Sequence, residues 1–162
     1  MSREVRLHAV VPARPAREVF GLLRRMERYP QISSSILRVD VDAQATPPCS
    51  TWHVQFREGV LVWTERDLFD EAALELRFEQ VDGDFEQLAG RWQVLERPQG
   101  CEIVLETTFD FGIPSLRHLI DPLAERALYD NGVELLLGLV GDDAQVLSAR
   151  PSGGALEELL DG

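Results

Sequence analysis

Cysteine and histidine are scarce in this chain of 162 residues, which contains two cysteines and three histidines. Cys49 and Cys101 stand far apart and form no CxxC motif, and the histidines are scattered. Zinc sites need three or four ligands that converge on one point, and closely spaced pairs such as HExxH usually mark them. The sequence therefore predicts no metal site, and it predicts two reduced thiols rather than a disulfide.

Glycine-rich phosphate loops, GxSxG elbows and long hydrophobic runs are also missing, so we expect no cofactor. The longest apolar stretch, Leu135 to Gly141, is far shorter than the roughly 20 residues of a membrane span, and no signal-peptide pattern begins the chain. Positive charge is in deficit, with 16 basic residues against 28 acidic ones and a net charge of −12. Such a surface repels phosphate backbones and anionic lipids. We expect a cytoplasmic protein without a membrane span or a nucleic-acid partner.

The chain has the length of one compact domain, and 44% of its residues are hydrophobic, which is enough for a core. We assign residues 1–140 to this single domain. Residues 141–162 contain Pro151, Gly153, Gly154 and several acids, and this composition is typical of an acidic, flexible C-terminal tail.

Periodicity predicts an α+β architecture. A strand over residues 3–11 precedes a helix that begins near Pro15, and a very short helix follows over residues 27–33. Six extended segments with turn-like separators come next, in the manner of an antiparallel meander: 37–41, 49–57, 60–70, 74–81, 85–96 and 101–111. A curved sheet of about seven strands would wrap around a final long helix and leave an apolar cavity.

The final helix is predicted from Gly112 to about Val140. Its apolar stripe, at steps of three or four, comprises Leu116, Ile120, Leu123, Ala127, Asn131 and Leu135. Asn131 is a polar residue on this stripe, so its amide either binds a ligand oxygen or marks a locally weakened turn. Tyr29, between the small helices, either guards the pocket mouth with its hydroxyl or fills the core.

Alternation along the strands identifies the side chains that face the cavity. The inward set includes Trp52, Trp92, Thr107 and Phe109. The segment 60–70 is anomalous, because Trp63, Glu65, Asp67 and Phe69 share one face and neither face is plainly apolar. Glu65 and Asp67 are either solvated strand residues or a buried pair about 7 Å apart at the β-carbons. In the buried case, desolvation and repulsion raise at least one pKa and suit the pair to acid–base chemistry.

Several phrases in their order resemble the START-like superfamily with the helix-grip fold, in its polyketide cyclase/dehydrase (aromatase/cyclase-like) and coenzyme-Q-binding branch. The phrases are Ala16-Arg-Glu-Val-Phe20, Arg28-Tyr-Pro30, Trp63-Thr-Glu-Arg-Asp67, Gly83-Asp-Phe85 with Gly90-Arg-Trp92, and Phe109-Asp-Phe-Gly-Ile-Pro114. The resemblance implies a hydrophobic tunnel with the Trp63 face inside it. It also implies a W-x-S-x-R pattern whose serine and arginine positions carry Glu65 and Asp67 here, so an arginine-assisted mechanism does not transfer.

These observations lead to one principal hypothesis and two alternatives. The protein is predicted to be a cofactor-independent cyclase or dehydratase of a poly-carbonyl substrate, with Glu65 as general base and Asp67 as proton donor. The predicted substrate-binding residues are Tyr29, Trp52, Trp63, Phe69, Trp92, Thr107, Phe109 and Asn131. The alternatives are a non-catalytic carrier for a quinone or lipid and an interaction module for a ribosome or synthase. An acyl carrier protein or synthase is a candidate partner of the enzyme, which we expect to be a monomer or homodimer.

Overall fold

A computed structural model describes residues 3–112, 117–141 and 144–147, without the side chains of residues 117 and 118. In chain order, the elements are β1 (Arg3–Pro12), α1 (Ala16–Leu23), a 3₁₀ turn (Met26–Arg28), α2 (Tyr29–Ile32), β2 (Ile36–Asp42), β3 (Cys49–Phe56), β4 (Gly59–Asp70), β5 (Glu75–Gly83), β6 (Gln87–Arg97), β7 (Gly100–Asp110), α3 (Arg117–Val140) and β8 (Gln145–Val146).

All eight strands belong to one antiparallel sheet in the order β2-β3-β4-β5-β6-β7-β1-β8. Short turns connect the successive strands from β3 to β7 as a meander. The last of them, β7, pairs with the whole length of β1, from Arg3 opposite Phe109 to Pro12 opposite Gly100. Helix α3 approaches the sheet at Gly132, where an added β-carbon would lie 3.2 Å from the Leu105 side chain. The predicted α+β class and helix-grip arrangement are confirmed, with β8 as an eighth strand.

The small helix α1 forms because apolar residues recur at its helical spacing. Ala16, Val19, Phe20 and Leu23 are buried, and Pro15 precedes the first turn with an extended backbone. The chain then turns through the 3₁₀ turn into α2, whose first residue, Tyr29, is only 1% exposed. Helix α1 packs against β6 and β7, whereas the 3₁₀ turn and α2 pack against β2 and place Tyr29 beside Trp52 of β3.

Helix α3 ends at Val140, as predicted, and its described part begins at Arg117 rather than near Gly112, but its predicted stripe is partly wrong. Leu123 is 42% exposed, whereas Asp121 and Glu125 are 2% and 0% exposed. The reason is an ion pair that local periodicity does not reveal: Arg3 Nη1 lies 2.8 Å from Glu125 Oε2, and Arg3 Nε lies 3.8 Å from Asp121 Oδ2. This pairing turns the two acids toward β1. Leu116, the first residue of the stripe, lies outside the described residues.

The start of the predicted C-terminal tail is in contact with the sheet, because Gln145 and Val146 pair with Val10 and Ala9 of β1. Residues 142, 143 and 148–162 of the tail lie outside the described residues. Cys49 and Cys101 are both free, as the sequence predicts. Across the described part of the chain, no helix has the length and apolar character needed to cross a membrane.

Candidate active site

A cavity of about 90 Å³ lies between the sheet, α3, α2 and the 3₁₀ turn. Its walls are mostly aliphatic and aromatic, with a few polar groups. The lining residues are Met26, Tyr29, Ile36, Trp52, Val54, Trp63, Glu65, Leu76, Phe78, Leu88, Trp92, Leu105, Thr107, Leu128, Asn131, Gly132 and Leu135. The cavity is smaller than ligand pockets of roughly 300–1,000 Å³, so this conformation has room for only part of a large ligand.

The register between β3 and β4 assembles one wall of the cavity. Trp52 pairs with Trp63, and Ser50 pairs with Glu65. The two indole rings are stacked, with 5.7 Å between centroids and 7° between planes. Tyr29 packs edge-on against Trp52 at 5.5 Å. Because side chains alternate along a strand, Ser50 and Trp52 share the inner face of β3, and Trp63, Glu65 and Asp67 share the inner face of β4.

Each stacked tryptophan donates its indole N–H to a neighbour two positions away on its own strand. Trp63 Nε1 donates to Glu65 Oε1 at 2.9 Å, and Trp52 Nε1 donates to Ser50 Oγ at 2.9 Å. Ser50 Oγ in turn donates to Asp67 Oδ2 at 2.6 Å. Trp63 therefore donates to the carboxyl group of Glu65, and Ser50, which itself accepts from Trp52, donates to that of Asp67.

Glu65 and Asp67, which we call the acid pair, are 3% and 0% exposed. Burial raises the pKa of Glu65 well above its usual range, and a hydrogen bond to Asp67 and the Asp67 charge raise it further. Burial also raises the pKa of Asp67, although its bonds from Glu65 and Ser50 oppose the shift. Both directions follow from desolvation, and the pair retains protons at pH values where exposed carboxyl groups have lost them.

No basic side chain compensates the acid pair from within the cavity, since none of the described lining residues is Arg or His. Arg66, which lies between the two acids in the sequence, points to the other face of the sheet and contacts Glu79 at 3.1 Å. Asp67 Oδ1 is buried and has no well-formed hydrogen bond among the described residues. The arrangement can therefore hold and exchange a proton.

Comparison with known proteins identifies the family. Residues 12–135 match the polyketide cyclase/dehydrase and lipid transport family. The chain belongs to this family. The match spans the elements from the end of β1 into α3, and it confirms the family-level resemblance drawn from the motifs.

Two curated relatives of similar sequence identity to this chain have different names. The chain is 26% identical over 123 residues to the actinorhodin polyketide synthase bifunctional cyclase/dehydratase of Streptomyces coelicolor, with 71% of this chain and 39% of that protein covered. It therefore spans about two fifths of the length of that relative. It is 28% identical over 140 residues to the ribosome association toxin RatA of Pseudomonas aeruginosa, with 78% and 88% covered.

A solved structure shares the fold of this family member. The Zhui aromatase/cyclase from Streptomyces sp. R1128 superposes with a TM-score of 0.75 at 19% identity, covering 88% of this chain and 94% of that chain. At this identity the similarity concerns the fold alone. It agrees with the arrangement of a long C-terminal helix against a curved antiparallel sheet.

The structure brings seven of the ten sequence-predicted site residues to the cavity of this family member. They are Tyr29, Trp52, Trp63, Glu65, Trp92, Thr107 and Asn131. Asp67 is buried beside Glu65 and does not line the cavity. Phe69 does not line the cavity, and Arg24 Cζ lies over its ring, 4.8 Å from the ring centroid. Phe109 does not line the cavity, and its ring packs 5.9 Å from Phe85 and 5.8 Å from Phe111. Phe85 in turn packs 5.6 Å from Trp63.

Tyr29 is placed at the cavity, but its hydroxyl proton is directed elsewhere. The hydroxyl donates to the backbone carbonyl of Leu23. Burial, followed by the charges of Glu65 and Asp67, raises the pKa of Tyr29, so the group remains protonated. The expected role of this hydroxyl as a donor to a ligand is therefore not the one observed, and the ring alone faces the cavity.

Ser50 and Phe78, which both adjoin Asp67, are among the residues of this region that the sequence interpretation did not single out. Ser50 lies two positions before Trp52, on the same face of β3, and is 1% exposed. Phe78 pairs with Asp67 across β4 and β5. Its ring covers Gly90 so closely that an added β-carbon there would lie 2.6 Å from Phe78 Cζ. Alternation could have identified the face of each residue, but only the register shows that both adjoin Asp67.

Proposed function

We propose that this protein is a cofactor-independent cyclase or dehydratase of a poly-carbonyl substrate, and that Glu65 exchanges a proton with the bound substrate. The observation that carries the proposal is the acid pair in an apolar cavity whose described lining contains no basic side chain. A carboxyl group tuned in this way can donate a proton near neutral pH and recover it later. The family and its cyclase/dehydratase relative support the same class of chemistry.

The hydrogen-bond directions favour a division of roles opposite to the one inferred from the sequence. An indole N–H can only donate, so Ser50 Oγ accepts from Trp52 and its own proton goes to Asp67. Asp67 thus receives hydrogen bonds from both Ser50 and Glu65, which support a negative charge on it, whereas Glu65 receives one from Trp63. Burial and the neighbouring Asp67 raise the pKa of Glu65 well above its usual range, and Glu65 lines the cavity. Glu65 is therefore the proton donor at the start of the reaction, and Asp67 is the charged partner behind it.

The chemistry follows from this starting state. Glu65 gives its proton to a ketone oxygen as an enol carbon of the same chain attacks the carbonyl carbon, so a carbon–carbon bond forms and the oxygen becomes a hydroxyl. The resulting Glu65 carboxylate then removes an α-proton, and return of this proton to the hydroxyl releases water and leaves a double bond. The proton of the original enol hydroxyl passes back to Glu65 as that oxygen becomes the ketone of the product. No electrons are exchanged with an outside reagent, and Glu65 ends the cycle protonated.

The shape and charge of the cavity limit the group that enters it. About 90 Å³ holds one carbonyl-bearing end of a chain rather than the whole chain. A neutral carbonyl can accept a hydrogen bond from protonated Glu65, with Thr107 and Asn131 as further polar contacts. A carboxylate or phosphate would instead meet the acid pair with no described cation in the lining, so such an end is disfavoured.

A carrier of a hydrophobic metabolite is the second candidate, because the family description includes lipid transport and most of the lining is apolar. The two candidates differ in their need for Glu65. A carrier requires only the apolar walls, and a buried acid without a basic partner adds an energetic cost to the site.

The decisive experiment uses Glu65→Gln, which keeps the shape of the side chain and removes the exchangeable acid. A synthetic linear poly-β-ketone thioester serves as substrate, and native mass spectrometry measures its binding separately. We expect turnover to fall by at least about 100-fold while binding persists. The matched control is Glu79→Gln, at an exposed acid on the outer face of the sheet, for which turnover should be unchanged.

Full turnover by Glu65→Gln would reject the proposal. A wild-type protein that retains a stoichiometric quinone or lipid after purification and turns over no ketone would favour the carrier.

A further inference from the structure

Ser50 lies between Trp52 and Asp67, and the proposed acid–base roles do not explain this position. It is 1% exposed, lies on the inner face of β3, and contacts both a donor and an acceptor. The Trp52 indole nitrogen is 2.9 Å away on one side, and Asp67 Oδ2 is 2.6 Å away on the other. The serine does not line the cavity, so a substrate there does not touch it.

The direction of each bond at Ser50 is determined by the chemistry of the donors. An indole nitrogen carries a hydrogen and has no free lone pair to accept with, so it must donate to Ser50 Oγ. A hydroxyl has only one hydrogen, and in this geometry that hydrogen points to Asp67. A free serine can rotate and choose its partner, whereas Ser50 is held as a donor to Asp67.

The opposite carboxyl group receives a different kind of support. Glu65 Oε1 accepts a hydrogen bond from Trp63 at 2.9 Å, and the remaining contact of the pair lies between Glu65 and Asp67. Asp67 Oδ1 has no other described partner, so it is available to accept the proton that Glu65 holds. A donor held on Asp67 favours the charged form of that residue, because hydrogen bonds to ionised groups are stronger than those to neutral groups.

We infer that Ser50 is a positioning residue that keeps the negative charge of the acid pair on Asp67 and thereby leaves the transferable proton on Glu65. This inference rests on the proposed function, since it gives the reason why Glu65 rather than Asp67 begins the reaction as the acid. Ser50 acts through Asp67 and takes no part in bond making.

Few other groups around Asp67 could keep the negative charge on Asp67 and the proton on Glu65. On β4 itself the titratable neighbour is Glu65, and from α2 Tyr29 contributes a hydroxyl that donates to Leu23. Strand β3 faces Asp67 with Ser50, and β5 pairs with it at Phe78, neither of which carries a charge. Within this described neighbourhood, Ser50 is the side chain best placed to distinguish Asp67 from Glu65.

The test is a pH titration of the acid pair by carbon-13 NMR of side-chain carboxyl groups, with no substrate present. Glu65→Gln and Asp67→Asn assign the two signals, which titrate above the range of exposed carboxyl groups. In Ser50→Ala, we expect the lower of the two coupled midpoints to rise by about one to two pH units, because the charged form of Asp67 loses its donor. In Ser50→Thr, which restores a hydroxyl, the midpoint should return toward the wild-type value.

Two further variants control for packing and for direction. Ser33→Ala removes another fully buried serine, whose hydroxyl has no hydrogen-bond partner among the described residues, and should leave the titration unchanged. Trp52→Phe keeps the Ser50 hydroxyl but frees it to rotate, so the shift should be in the same direction and smaller than in Ser50→Ala. If Ser50→Ala does not fold, Ser50→Cys, with a weak donor of similar size, should give an intermediate shift.

A Ser50→Ala titration that superimposes on the wild-type curve would overturn the inference, as would failure of Ser50→Thr to restore the midpoint. In the turnover assay, the acid limb of the pH profile of Ser50→Ala should move by the same amount as the NMR midpoint. Failure of the proposed function would appear differently, as full turnover by Glu65→Gln with the titration of Ser50→Ala still shifted.

Discussion

Two pairs of acidic side chains are buried in this protein, one on a strand and one on a helix, and their partners differ. Glu65 and Asp67 on β4 are 3% and 0% exposed, and Asp121 and Glu125 on α3 are 2% and 0% exposed. The helix pair faces the Arg3 guanidinium, 2.8 Å from Glu125 Oε2. The strand pair has only neutral donors among its described hydrogen-bond partners, from Ser50 and Trp63.

The difference separates an acid that holds the fold together from an acid that can do chemistry. A guanidinium beside a buried carboxylate compensates the cost of burying its charge. Burial without a cation instead favours the protonated form, which raises the pKa of both Glu65 and Asp67. Equal burial thus gives an ion pair at the helix and, at the strand, the pair to which we assign proton exchange.

The largest expected effect comes from removing the cation of the helix pair. Arg3→Met keeps most of the length of the side chain but leaves Asp121 and Glu125 buried without the guanidinium. We expect the free energy of unfolding to fall by about 3 kcal/mol, at the lower end of the range for a broken buried pair because Arg3 is itself partly exposed. Urea denaturation at neutral pH measures the change.

Arg6→Met on the same strand is the control for this experiment. Arg6 is 66% exposed at its side chain and lies 3.8 Å from Glu106, so its removal should change stability by less than about 0.5 kcal/mol. Equal effects at the two positions would mean that Arg3 contributes no more than an ordinary surface arginine, and the comparison between the two acid pairs would fail.

A smaller effect on stability, which depends on pH, is expected from the strand pair. Carboxyl groups whose pKa is raised in the folded state bind protons more tightly there than in the unfolded chain, where they titrate near pH 4. Their stabilising contribution is complete below about pH 4 and is lost as the pH rises through the folded pKa. Relative to Glu65→Gln/Asp67→Asn, the wild-type protein should lose about 1 to 2 kcal/mol of stability between pH 5 and 7.

Urea midpoints measured at intervals across this range test the prediction, and the double variant supplies the reference because it keeps the shapes of both side chains. Parallel stability curves for the two proteins would show that the acid pair binds protons equally in the folded and unfolded states. That outcome would remove the basis for assigning proton exchange to Glu65.

Local patterns predicted most of the fold and part of the site. Alternation placed Trp63, Glu65 and Asp67 on one face of β4, and the family motifs favoured the inner face, on which Glu65 is now seen to line the cavity. The end of helix α3 at Val140 agrees with the prediction, but its predicted buried face agrees only in part. The contact that orients it joins Arg3 to Glu125, 122 positions apart, and no local period contains that information.

The finer features of the site depend on register and on bond direction, which a single sequence does not specify. Nothing in the local sequence distinguishes Ser50 from other strand residues. Its contact with Asp67 arises only because β3 pairs with β4 in this register. The volume of the cavity also could not be predicted from the sequence. Alternation indicates which side chains face inward, but the space left between them depends on how Phe78 and the tryptophans pack.

The smallest expected effect concerns Tyr29, which adjoins the strand pair and might be mistaken for its third member. Its hydroxyl donates to the Leu23 carbonyl, and its ring packs on Trp52. Tyr29→Phe should therefore lower the free energy of unfolding by about 1 kcal/mol through the lost hydrogen bond. Turnover and ligand affinity should change less than about twofold, because the ring that faces the cavity is kept. A large loss of turnover at unchanged stability would instead make the hydroxyl part of the reacting site and extend proton exchange beyond the two carboxyl groups.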